Sequence, residues 1–190
     1  MGDVLVWMDL ETTGLDSRID LILEVAVVLT DTDLELLTSD NWLVRSHLER
    51  DWLVSSLPGR VLDLHRESGL LDDLTRSWTS LPGMGEVDLL VADLLATWHP
   101  GADGDLLLAG SGTDRFDRRF LEEQMPLTEK LLHYRGVDVS PSRLMAGWWN
   151  TALAAELAAC VPTVPHRALP DVKAALAQAR LLRAALARAG

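Results

Sequence analysis

Cysteine, tyrosine and phenylalanine are almost missing from this chain: one, one and two among 190 residues. The single cysteine, Cys160, cannot close an internal disulfide, so a disulfide-stapled scaffold is excluded, and Cys160 is assigned no role. Basic residues are also scarce, 17 Lys and Arg against 29 Asp and Glu, for a net charge of −12. That balance counts against a protein that grips long nucleic acid along a broad basic face; a nucleic-acid substrate is expected to be short or metal-bridged. Long hydrophobic runs are lacking too. Leu21 to Leu29 (LILEVAVVL) is interrupted by Glu24 and falls short of the ~18 apolar residues of a membrane helix, so no membrane span is expected. MGDVLVWMDLE has neither the basic start nor the apolar length of a signal peptide, and a cytoplasmic protein is expected. What remains, 48% hydrophobic and 24% charged residues, describes a globular chain. Its length is close to the ~150 residues of one domain, so residues 1–190 are read as a single domain.

Val4 to Met8 is apolar without helical period, and Leu21 to Leu29 is a second strand-like run. A third strand, Leu34 to Val44, follows the turn Asp31-Thr32-Asp33, which predicts an antiparallel meander. Apolar residues at three- and four-residue spacings predict helices over Leu57 to Leu71 and Glu86 to Trp98. Asp105 to Gly110 (DLLLAG) reads as a buried strand feeding a Gly-Ser-Gly turn and a helix over Asp117 to Gln124. A short strand is expected near Gly136 to Val139, then two Ala- and Leu-rich helices over Ser140 to Ala159 and Asp171 to Ala189. The pattern predicts an α/β fold, a mixed sheet with helices on both faces. Trp148 and Trp149, inside an apolar helical stretch, read as core or subunit contact.

Asp9 and Glu11, in DLETTGL, stand two residues apart at the end of the first strand, and the strand period aims both carboxylates at one face. Such crowding is costly unless a cation neutralises it, and hard oxygen ligands select Mg²⁺ or Mn²⁺. An isolated D-x-E is equally an ordinary strand end. Asp117, in DRRFLEEQMP, lies near a helix start beside two arginines, where the ordinary reading is a surface salt bridge; as a ligand candidate it has Asp114, three residues earlier, as its fallback. HRALPDV sets His166 five residues before Asp171, with Pro170 suited to the first helical position. A helix N-terminus favours the ionised acid, and an imidazole suits proton removal from water.

In that order, D-x-E-T-T-G, a central Asp after a strand and turn, and H-x(4)-D resemble the histidine-bearing branch of the DEDD, or DnaQ-like, 3′–5′ exonucleases. DLETTGL with HRESGL, DRRFLEEQMP, HYRGVDVS and HRALPDV is more narrowly similar to the oligoribonucleases, over nearly the whole chain. The resemblance implies a ribonuclease H-like fold and a homodimer that trims short single-stranded RNAs to 5′-mononucleotides. It further implies two Mg²⁺ or Mn²⁺ ions held by Asp9, Glu11, Asp117 and Asp171, with His166 as general base. Leu15 matches a residue that wedges against substrate bases, and His65 the histidine of a terminal-base pocket. Tyr134 matches a residue that reaches across the dimer, while Arg135 and Ser140 match holders of the 5′ phosphate. Three departures stand out: Thr12 where the family has methionine, Arg60 where it has tryptophan, and GSGTDRF where it has G-N-S-I. The Thr-Thr form is usual in proofreading exonucleases, which keeps a DNA 3′–5′ exonuclease as the alternative. A catalytically silent interaction subunit of the same fold is a third reading, opposed by the intact acids and His166.

Overall fold

A computed structural model describes residues 2–189. Three strands, β1 (Val4–Thr12), β2 (Ile22–Thr30) and β3 (Leu36–Leu43), form the expected meander. β1 pairs antiparallel with β2, and β2 with β3. β4 (Leu106–Gly110) then adds parallel to β1, and the short β5 (Gly136–Asp138) parallel to β4. The five-stranded order is β3-β2-β1-β4-β5, a mixed sheet with β1 at its centre.

The two-residue period of β1 divides the core. Val4, Val6, Met8 and Leu10 pack with α4 (Met84–Trp98) and α5 (Asp117–Gln124) through Val87, Val91, Leu95, Phe120 and Leu121. Leu5 and Trp7 face the opposite layer, where α9 (Ala168–Ala189) supplies Val172, Ala175 and Leu176. Helices therefore cover both faces, as expected. Asp9 and Glu11 continue the Leu5–Trp7 row, so the alternation that builds the core also delivers both acids toward α9.

The helical layer is more divided than periodicity predicts. An unexpected α1 (Arg50–Ser56) precedes the Leu57–Leu71 segment, which splits into α2 (Gly59–Glu67) and α3 (Leu70–Ser77). Gly69, at φ 75°, adopts the left-handed conformation that ends one helix and opens the next. A one-turn α6 (Pro126–Glu129) was also unforeseen. The single helix expected over Ser140–Ala159 is two, α7 (Val139–Trp149) and α8 (Thr151–Ala159), because the Asn150 side chain caps the second by accepting the Leu153 N–H at 3.1 Å. α9 begins at Ala168, before the expected Asp171, so Pro170 is its third residue rather than its first. The Ala168 N–H already has an external partner, the Glu24 carboxylate at 3.0 Å, which lets the helix open early. Trp148 and Trp149 are 69% and 76% exposed and contribute nothing to the core. Among the described residues no helix is long and apolar enough to cross a membrane.

Asp138 fixes the turn after β4. Its Oδ1 accepts the Ser140 N–H at 2.8 Å, capping α7, and the Gly112 N–H at 2.9 Å. Asp138→Ala loses a helix cap and a loop anchor together. It should lower stability by about 1–2 kcal/mol, measured as a shift in urea midpoint at unchanged slope.

Candidate active site

The C-terminal end of β1, the turn after β4 and the start of α9 enclose a cavity of about 350 Å³. Asp9, Glu11, Asp117, Asp171, His65, His166 and Leu15 all line it, so seven of the residues singled out in the sequence meet in one place. One oxygen from each of Asp9, Glu11 and Asp171 lies within 4.8 Å of the others. Asp117 stands outside that trio. It is 3% exposed, one carboxylate oxygen accepts from the backbone, and Oδ1 has no protein partner. Asp114 points elsewhere, 3.8 Å from the Arg118 guanidinium, and does not line the cavity.

Burial and mutual repulsion shape the electrostatics. Burial first, then the charges of Asp117, Glu11, Asp171 and Glu24, hold the Asp9 carboxyl well above the usual range. Glu11 is pushed up to about 8 by burial and by the nearby Asp171 and Glu24 charges, against a smaller pull from Arg167. Burial raises Asp117 to about 7, opposed by backbone N–H groups of Leu10 and of Asp117 itself. Asp171 is raised by burial, with the Arg167 N–H, the charge of His166 and the His166 N–H working against it. Hard oxygen donors, closely spaced and with a buried oxygen left unpaired, suit a divalent cation.

His65, on α2, is buried and donates Nε2–H to the Thr12 carbonyl at 2.8 Å. Its Nδ1 is 3.9 Å from Glu11 Oε2, and burial lowers its pKa. Leu15 is 81% exposed at the cavity mouth. Its loop is fixed by Asp20, which accepts from the Thr13 hydroxyl and the Asp16 N–H at 2.9 Å each. A Cβ at Gly14 would lie 2.4 Å from that carboxylate, so any other residue there would push aside the side chain that holds the turn. The Gln124 amide closes the loop on the carbonyls of Ser17 and Asp20 at 3.0 and 2.7 Å.

The structure does not gather all of the expected phosphate holders at the cavity. Ser140 Oγ lies 3.0 Å from Ser111 Oγ, and Ser111 does line the cavity. Tyr134 and Arg135 do not line it; both are exposed, with the Arg135 guanidinium 5.4 Å from the Tyr134 ring centre. That cation–π contact keeps the pair on its own loop. The sequence reading missed Ser111, although the Gly-Ser-Gly turn was its signal. It also missed Asp20 and Gln124, which are ordinary polar residues until the loop closes on them.

The raised acids imply a pH dependence. Folded-state values for Glu11 and Asp117 lie above those of an unfolded chain, so folding retains protons that unfolding releases. Their contribution to stability is full below about pH 4 and is lost as pH rises through about 7 and 8. In chelator, the melting temperature should therefore fall across that window. Mn²⁺ should reverse the fall and release protons on binding, measurable by calorimetry in buffers of different ionisation enthalpy.

No protein-family model matches the chain. Among solved structures, it resembles exonuclease I of Methylocaldum szegediense with a TM-score of 0.67 at 20% identity, over 95% of this chain and 40% of that one. E. coli exonuclease I in complex with a dT13 oligonucleotide gives 0.63 at 15% identity, over 98% and 42%. The chain spans about two fifths of the length of these structures, and the likeness identifies the fold as ribonuclease H-like. In sequence, the oligoribonuclease of Neisseria meningitidis is 32% identical over 179 residues, 94% of this chain and 90% of that protein. The oligoribonuclease of Mycobacterium avium is 32% identical over 183 residues, 96% and 81% respectively. Similarity of that strength along nearly the full length, on an exonuclease fold, means that the chain belongs to the oligoribonuclease family.

Proposed function

We propose that this 3′–5′ exoribonuclease acts on oligoribonucleotides of a few residues, down to dinucleotides, and releases 5′-mononucleotides. The convergence of Asp9, Glu11 and Asp171 within 4.8 Å, in a cavity shared with Asp117 and His166, carries the reading. In this reading the four acids hold two divalent cations, Mg²⁺ or Mn²⁺. When bound, these supply the positive charge that acidifies water and steadies the leaving oxygen.

His166 acts as general base, taking a proton as the water oxygen bonds to phosphorus and the bond to the 3′ oxygen breaks. The products are a nucleoside 5′-phosphate and a chain one residue shorter with a free 3′-hydroxyl. Leu15, exposed at the mouth, wedges against the terminal bases, and His65 closes the floor beneath them. Ser140, with Ser111 3.0 Å away, and Arg135, from its exposed loop, are assigned the 5′ phosphate. The net charge of −12 suits a substrate short enough to be captured by local contacts.

The functional unit in this reading is a homodimer. Leu144, Trp148 and Trp149, exposed on α7, are its proposed contact, and Tyr134 reaches the partner's site. The cytoplasm is the proposed location, compatible with the lone Cys160. A second reading, a DNA exonuclease, is favoured by Thr12-Thr13 and by the exonuclease I likeness.

Labelled oligoribonucleotides of two to ten residues and single-stranded DNA, each with Mg²⁺ or Mn²⁺, separate the two. Fastest turnover on the diribonucleotide is expected; faster cleavage of DNA would select the second reading. Within the site, Asp9→Asn or Asp171→Asn should abolish hydrolysis while circular dichroism stays unchanged. His166→Ala should lower kcat by about 10²- to 10⁴-fold with metal affinity retained. Collapse of metal affinity in that variant would make His166 a ligand instead.

A further inference from the structure

Glu24 interrupts an apolar strand, yet it is 1% exposed. It pairs with Glu11 across β1 and β2, on the sheet face that meets α9. Its partner is Arg167. The guanidinium donates from Nε to Oε1 and Oε2 at 3.3 and 3.1 Å, and from Nη2 to Oε1 at 2.9 Å. Glu24 Oε2 also accepts the Ala168 N–H at 3.0 Å. On its other side, Arg167 Nη1 donates to Asp73 Oδ2 of α3 at 2.9 Å. The Arg167 N–H donates to Asp171 Oδ2 at 3.1 Å, and its carbonyl accepts the Asp171 N–H at 3.1 Å.

The residue immediately before this knot is His166, at φ 58°. That left-handed conformation is disfavoured for a residue with a Cβ and persists only where surrounding contacts over-determine it. Among the described residues the imidazole makes no hydrogen bond of its own, so its direction is inherited from the backbone. A buried ion pair roughly breaks even in stability, and an apolar residue would serve the strand as well as Glu24. What the planar guanidinium fork adds is direction, because several parallel bonds fix rotation as well as position. Asp73 extends the hold to α3, next to the helix that carries His65, so both walls of the cavity are referenced to β2.

We propose that Glu24, Arg167 and Asp73 form a clamp that sets the orientation of His166, and that Arg167 and Glu24 are positioning residues for hydrolysis. The inference rests on the function proposed above. Two variants test it. Arg167→Lys keeps the charge and loses the fork; the double change Glu24→Gln with Arg167→Met removes the pair without leaving a buried charge alone. Both should melt cooperatively. In both, kcat on a diribonucleotide should fall about 10²-fold while KM moves by less than about threefold, the pattern of a misplaced catalytic group. Wild-type kcat per folded molecule in either variant would overturn the clamp. If the wild-type protein cleaves no oligonucleotide, the functional reading fails and amide exchange judges the clamp alone. Faster exchange in the variants than in the wild type at the amides of positions 167 and 168, with β1 and β2 still protected, supports it; unchanged exchange at those two amides overturns it.

Discussion

Crowding of carboxylates on one face of the central strands is the constraint around which this molecule is organised. Asp9, Glu11 and Glu24 occupy adjacent strands on the α9 side, and Asp171 meets them from α9. In a poorly solvated volume their repulsion cannot be screened by water. The chain answers in three ways. Glu24 is neutralised by Arg167, Asp171 receives backbone N–H groups at the start of α9, and Glu11 and Asp117 hold protons to about pH 8 and 7. Only the first two are permanent. The protonated acids are the part of the cluster that a cation would displace protons from, so the apolar packing around β1 must hold repelling groups in place before any ligand arrives.

That packing was largely legible in the sequence, because β1 and β2 advertise themselves through apolar residues and the D-x-E of β1 follows the same period. The site acids were legible for a related reason: each lies at a fixed offset from an element boundary, at a strand end or a helix start. Contacts between distant segments were not. Glu24 looked like an interruption of a hydrophobic run, since its partner Arg167 lies 143 residues away and no local pattern links them. The helix breaks at Gly69 and Asn150 were missed because hydrophobic spacing runs through both positions, while a left-handed glycine and a capping amide decide the geometry. The start of α9 was misplaced for the same reason as Glu24, since its first N–H is satisfied from the sheet.

The departures from the family pattern are absorbed locally. Thr12 is buried, and its hydroxyl donates to the Gly14 carbonyl at 2.6 Å, tightening the turn that presents Leu15; a methionine could not make that bond. In GSGTDRF, the buried Thr113 sits over Gly110, where a Cβ would come within 2.2 Å of the threonine hydroxyl. Asp114 lies beside Gly136 and Arg118, which turns it away from the cavity and leaves the buried position to Asp117. The altered segment therefore directs Asp114 outward, while Ser111 within it and Asp117 just after it line the cavity.

Arg60 is a different kind of departure. It is exposed on α2 and does not line the cavity, although His65 on the same helix is buried in its floor. An aromatic ring at that position would add a stacking surface, whereas an arginine there adds only charge facing water. In the proposed function, apolar contact with a terminal base falls to Leu15, Val61 and Leu64, which line the cavity. Aliphatic side chains press on a base without the directional preference of stacked rings, so discrimination among bases is weak at such a surface. On that reading, recognition shifts to what every nucleotide shares, the phosphates and the chain end. An acidic protein can hold those only where its own charges have been locally reversed or neutralised, as a cation among the crowded carboxylates of β1 would do.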